Sequence, residues 1–174
     1  MKRNLRNINK KLHYRGCDCG CNAAPGAARQ LDPLQVLEVC IDAYKQEKSQ
    51  ERFAMLVRAI ILNISENTVL VTPVEAEGVP EGKMILTPDD NPKSVSIYGI
   101  RNSEGEEAYG AFTSKSEAEK MPYKCFLAWP LWGLMQLTLE NPEVIGLVIN
   151  PAGSSFFMPR EFMKDLLDSL KQKQ

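Results

Sequence analysis

Apolar residues recur along this chain at two distinct spacings, and the change of spacing outlines the fold. Leu34, Leu37, Ile41 and Tyr44 repeat at helical intervals. Asp32 and Pro33 precede them, a helix start in which Asp caps and Pro takes the first position, where its missing N–H costs nothing. That helix is expected to end near Lys48. Ser49 then caps a second helix, with Phe53, Leu56, Val57, Ile60 and Ile61 on its apolar face. Two helices joined by so short a link predict a helical hairpin laid on a sheet.

After Asn67 the period shortens. Thr68–Val74 is β-branched and predicts a strand. The stretch 75–83 carries acids and turn residues and reads as a loop or hairpin connection. KMILT (83–87) reads as a short strand and DDNP (89–92) as a break. SVSIYGI (94–100) and EEAYGAF (106–112) are strand candidates joined by the Gly-containing loop 101–105. Ser114 and Glu117 form a capping-box pattern for a short helix that should end near Met121, ahead of Pro122.

YKCFLA (123–128) reads as a strand, and Pro130 opens an apolar helix holding Leu131, Trp132, Leu134, Met135 and Leu139, closed by Asn141-Pro142. VIGLVIN (144–150) is apolar almost throughout, as a strand buried on both faces would be. PAGSS (151–155) is a turn. A last helix begins near Pro159, with Phe162, Met163, Leu166, Leu167 and Leu170 on one face and charges on the other. The expected fold class is α/β (α+β): a mixed central β-sheet flanked by helices, with an N-terminal helical pair and a C-terminal amphipathic helix.

Composition changes this picture at one end. Residues 1–30 show no sustained periodicity, and 16–28 contain no large apolar residue. Such a stretch cannot bury enough surface to offset the entropy of ordering. The expected organisation is therefore a flexible, basic, cysteine-containing tail over 1–30 and one domain over 31–174. Charge divides at the same place. Residues 1–29 hold seven Lys and Arg against Asp18 alone, a formal +6, whereas 30–174 hold 14 basic and 21 acidic residues, a formal −7. An acidic body is poorly suited to neutralising phosphates, so nucleic acid is not an expected partner.

No apolar run approaches the roughly 18 residues of a membrane helix, and no apolar segment of a secretory signal follows the basic start. Neither a membrane nor an export role is expected. Of the five cysteines, Cys17, Cys19 and Cys21 crowd together, while Cys40 and Cys125 sit among apolar residues. A disulfide framework spreads its cysteines more evenly, so a reducing, cytoplasmic setting is expected.

The only histidine is His13, in the tail, which argues against Ser-His or Cys-His nucleophilic machinery in the body. There is no dinucleotide-binding or Walker glycine loop. The sharpest chemical pattern is His13-x-x-x-Cys17-x-Cys19-x-Cys21. Its donors match a Cys₃His zinc set, but the tight Cys-x-Cys spacing suits a flexible thiolate chelator better than a structural knuckle. An inert tail, metal binding and thiol chemistry all stay open.

Two segments together resemble the SseB amino-terminal domain family of bacterial proteins. AYGAFTSKSEAEKMP (108–122) is similar to that family's strand running into Phe-Thr and a short acidic helix. VIGLVINPAGSSFFMPREFMKDLL (144–167) is similar to its Asn-Pro strand end and final helix. SQERFAMLVRAIILNISENTVLVTPV (49–74) resembles its early helix and first strand. The resemblance spans about residues 32–171. It implies the family's fold and carries no established reaction or cofactor with it.

The expected function is therefore a non-enzymatic protein-binding or adaptor domain with a protein partner. Phe112, Thr113, Trp129, Asn150 and Pro151 are the candidate contact residues, beside the 94–112 hairpin and the 150–155 turn. The alternative is a metal- or thiol-handling protein using His13, Cys17, Cys19 and Cys21. Local chemistry gives the residues of segments 108–122 and 144–167 structural work as well: Gly146 admits a close backbone neighbour, Asn150 bonds within a turn, and Pro151 stops the strand ladder.

Overall fold

The computed structural model describes residues 31–79 and 83–171. The two opening helices are α1 (Pro33–Gln46) and α2 (Gln50–Ser65). Asp32 Oδ1 accepts from Leu34 N–H at 2.8 Å, and Gln35 Oε1 accepts from Asp32 N–H at 3.3 Å, completing a reciprocal cap. Ser49 Oγ accepts from Arg52 N–H and starts α2. Asn63 on α2 is wholly buried and its Nδ2 donates to Pro33 O at 2.8 Å, tying the end of one helix to the beginning of the other.

The strands follow as β1 (Val69–Glu77), β2 (Ile85–Leu86), β3 (Ser94–Ile97), β4 (Gly99–Arg101) and β5 (Glu107–Ala111). After them come α3 (Lys115–Ala118), β6 (Phe126–Pro130), α4 (Leu131–Glu140), β7 (Val144–Ile149), β8 (Phe156–Pro159) and α5 (Arg160–Lys171). The strands form two four-stranded halves, ordered β2-β6-β1-β3 and β4-β5-β7-β8. Each half is mixed, with one parallel pair: β2 with β6, and β5 with β7. The halves join where Val71 and Phe112 exchange two backbone hydrogen bonds, of 3.0 and 2.8 Å. Thr72, also buried, adds a bond from its Oγ1 to Gly110 O at 2.6 Å.

Sheet and helices together make the expected mixed α+β architecture. Three details differ from the sequence pattern. The 94–100 segment divides at Tyr98, its first part pairing with β1 and its second with β5. β1 runs on through Glu77, into the segment read as a loop. Phe156–Pro159 forms an edge strand antiparallel to β7, where the sequence suggested only the approach to a helix. The segment β6-α4-β7 also carries the chain from one half-sheet to the other, since β6 and β7 are not neighbours.

The main core is gathered from α1, α2, α4, α5 and the inner strands. Leu37, Ile41, Leu56, Ile60, Leu131, Met135, Leu147 and Met163 are fully buried within it. At roughly 1.5–3 kcal/mol for each large apolar side chain removed from water, this cluster dominates stability. A second cluster centres on Val74, Leu86 and Leu127, and a third, beside α3, on Phe112, Ala118 and Phe126. Gly146 fulfils its expected role. A Cβ there would lie 2.4 Å from Met158 O, so the β7–β8 approach requires glycine.

A separate device closes α4. The Arg160 guanidinium donates to Thr138 O, Asn141 O and Val144 O from Nη1 and to Leu139 O from Nη2, all within 3.0 Å. These include carbonyls a helix end leaves without internal partners, and the cation suits that negative pole.

Candidate functional site

β5 and β7 run parallel and end side by side, Ala111 opposite Ile149. Segments 108–122 and 144–167 meet there. Asn150, just past β7, adopts a left-handed backbone with φ 49°, a conformation Asn tolerates better than most residues. Its N–H donates to Ala111 O at 2.8 Å, holding it beside the neighbouring strand. Thr113 N–H donates to Asn150 Oδ1 at 3.0 Å, and Asn150 Nδ2 donates to Thr113 Oγ1 at 2.8 Å. The Thr113 hydroxyl in turn donates to Glu38 Oε1 on α1. Three elements remote in sequence are thereby locked together by one short relay.

The relay sits at the wall of an open cleft of about 370 Å³, lined by Glu38, Asp42, Glu117, Lys120, Asn150, Gly153 and Ser154. The outer ends of parallel strands are where sheets of this kind most often present binding surfaces. Ser114 Oγ accepts from Glu117 N–H, so the serine half of the expected capping box is made, while the Glu117 carboxylate turns away to the cleft instead of bonding back to the Ser114 N–H. Glu117 Oε1 pairs with Lys120 Nζ at 2.5 Å. Its Oε2 is buried without a hydrogen-bond partner. Gly153 makes room for that carboxylate, since a Cβ there would stand 2.7 Å from Oε2. Lys45 Nζ reaches across from α1 to Gly153 O at 3.5 Å. The three carboxylates therefore outnumber the lining's single Lys, itself paired.

An aromatic cluster adjoins the cleft. Tyr44 of α1 lies 5.5 Å from Phe53 of α2 and 6.2 Å from Phe156 of β8, measured between ring centres. Phe162 of α5 completes it, 6.0 Å from Phe53 and 6.3 Å from Phe156. None of the four rings is fully buried, and Phe53 is 36% exposed. The connection to the cleft runs through neighbours in sequence: Lys45 follows Tyr44, and Phe156 follows the turn containing Gly153 and Ser154.

The candidate contact residues fall at different depths. Phe112 has no exposed surface; it packs edge-on against Phe126, 5.9 Å between ring centres at 88°, and contributes to the third core cluster. Thr113 and Asn150 are buried and brace the cleft from beneath, and Pro151 is half-buried in the turn. Trp129 is half-buried between the first and second clusters, away from the cleft's lining. The Thr113–Asn150 pairing spans 37 positions, so no local pattern announces it. Nothing in the sequence pattern marks Glu38, Asp42 or the aromatic cluster as site residues. Tyr44, Phe53 and Phe162 each mark a helix's apolar face, and only the tertiary packing shows that those rings meet at the edge of the main core.

His13, Cys17, Cys19 and Cys21 lie outside the described residues. Cys40 is buried and Cys125 half-buried, both as free thiols. Burial pushes both thiols up, Arg52 drawing Cys40 partly back and a backbone bond from Phe126 doing the same for Cys125. Both are thereby disfavoured as thiolate nucleophiles. Among the described residues, no group of three or more His, Cys, Asp or Glu is placed to hold a metal ion, and no helix is long and apolar enough to cross a membrane. No family model, curated protein or solved structure matches the chain.

Proposed function

We propose that this chain is a non-enzymatic, SseB-like binding domain that recognises a protein through the face formed by α1, the 150–155 turn and the aromatic cluster. One observation carries the reading: four partly exposed rings from four elements gather beside an open, polar cleft. Large aromatic side chains concentrate binding energy at protein interfaces, and a polar rim beside them supplies orientation. The relay of Glu38, Thr113 and Asn150 beneath the cleft supports the same role, because it fixes the surface that a partner would meet.

The SseB-like assignment rests on the segments 108–122 and 144–167, whose distinguishing residues Thr113 and Asn150 bond to one another. The cysteine pattern favours the cytoplasm. The acidic body disfavours nucleic acid as the partner. Affinity capture from the native cell tests the reading. The full chain should retain a specific protein that the double variant Asp42→Lys, Phe53→Ser releases. A binding profile identical for both proteins would remove this face as the interface.

A further inference from the structure

Resting on that protein-binding reading, we infer the chemistry of the partner: a basic peptide segment carrying an aromatic or aliphatic anchor, the anchor seated on the ring cluster and its cations directed to the cleft. The anchor follows from Phe53, 36% exposed, and from the partly exposed Tyr44, Phe156 and Phe162, which pack on the main core beneath and around it. Buried aromatic contact of this kind supplies most of the affinity at hot spots.

Charge complementarity selects the flanking groups. Glu38, Asp42 and Glu117 line the cleft, and the lysines nearest them are occupied, Lys120 by Glu117 and Lys45 by Gly153 O. Glu117 keeps one oxygen without a donor. Residues 30–174 carry a formal −7 and residues 1–29 a formal +6, so the selection rests on the carboxylates at the cleft itself. Those carboxylates draw a cationic segment in and repel phosphate-bearing surfaces. A second copy of the same face would set carboxylate against carboxylate, so self-association through it is disfavoured.

The test uses the full chain and three short, fluorescently labelled peptides. The first alternates Lys with Trp and Leu, the second replaces each Lys by Glu, and the third is oligolysine of the same length. Anisotropy titration should give saturable binding for the first, weakening as salt rises, and little for the other two. Asp42→Lys and Phe53→Ser should each lower affinity by about tenfold, in line with losing a rim charge or a central anchor. Both positions are exposed, so unchanged thermal unfolding can verify that each variant folds. Glu104→Lys, in the β4–β5 loop, should leave affinity unchanged. Equal binding of the Glu peptide, or no binding of the Lys-Trp-Leu peptide, would overturn the inferred chemistry. Should affinity capture still retain a protein dependent on Asp42 and Phe53, the interface reading would survive that result. Loss of both would end the two together.

Discussion

Two polar knots bind distant parts of this molecule, and they differ in what they leave over. Arg160 spends its guanidinium on four carbonyls at and just beyond the end of α4. Its bonds are directed inward, and the result is a closed cap. The knot of Glu38, Thr113 and Asn150 also joins separate elements, but it opens at one side into a cleft with additional carboxylates. Buried hydrogen bonding thus serves two purposes here: one knot finishes a helix, and the other holds a surface in shape. The contrast teaches that a buried polar residue at a strand end is best judged by what lies above it.

Substitutions can break the comparison knot by knot. The largest expected effect is at Arg160. Arg160→Ala leaves the α4 carbonyls without their donor and should destabilise the domain by about 3 kcal/mol, the scale for several lost bonds to a charged, partly buried group. Arg160→Lys should recover part of this, since one ammonium cannot reproduce the planar fork. Urea unfolding with an unchanged denaturant slope measures both.

Next comes Asn150. Asn150→Ala loses both bonds to Thr113 and places Ala in a left-handed conformation, for about 2 kcal/mol. Asn150→Gly removes only the side-chain bonds and should lose less. Equal losses for Ala and Gly would show that backbone conformation contributes little there. Peptide affinity should fall in both, because the cleft wall loosens.

A third polar turn supplies a pH-dependent comparison. Asp90 is held at about 2, chiefly by the Lys83 ammonium bonded to Oδ1 and by Thr87 N–H. A carboxyl depressed when folded contributes stability above its unfolded value of 3.8, and that contribution is lost as pH falls from there toward 2. Asp90→Asn should therefore flatten the acid limb of the stability profile between about pH 4 and pH 2. Urea midpoints across that range provide the check.

The smallest effect on stability is expected at Gly153. Gly153→Ala presses a methyl against the Glu117 carboxylate, which is flexible enough to shift. Stability should change by less than about 0.5 kcal/mol, as for most surface pairs. The Lys120 and Glu117 side-chain resonances should nevertheless move in NMR spectra.

Much of the scaffold was legible because its signals are local. Asp32-Pro33, Ser49 and Ser114 stand at helix starts, and the apolar run 144–149 is an inner strand. Where the pattern failed, tertiary pairing overruled it. Phe156–Pro159 has only four residues before α5, too few to establish a period, and becomes a strand because β7 offers it a ladder. Arg160 is an ordinary charged residue by pattern and gains its role only when α5 starts beside the end of α4. At the site, Thr113 and Asn150 were legible as special positions, but their bond to each other was not. The aromatic cluster was the least visible, because each ring has an adequate local reason to lie on its own helix face or strand.

The proposed docking face and the far end of β5 can be compared directly. A photoreactive side chain placed at position 42 in the full chain samples the cleft, and one at position 104 samples the hairpin beyond the other end of β5. Irradiation in the native cell should yield one discrete protein adduct from position 42 and none from position 104. Equal adducts at both positions, or adducts from position 104 alone, would contradict the assignment of this face.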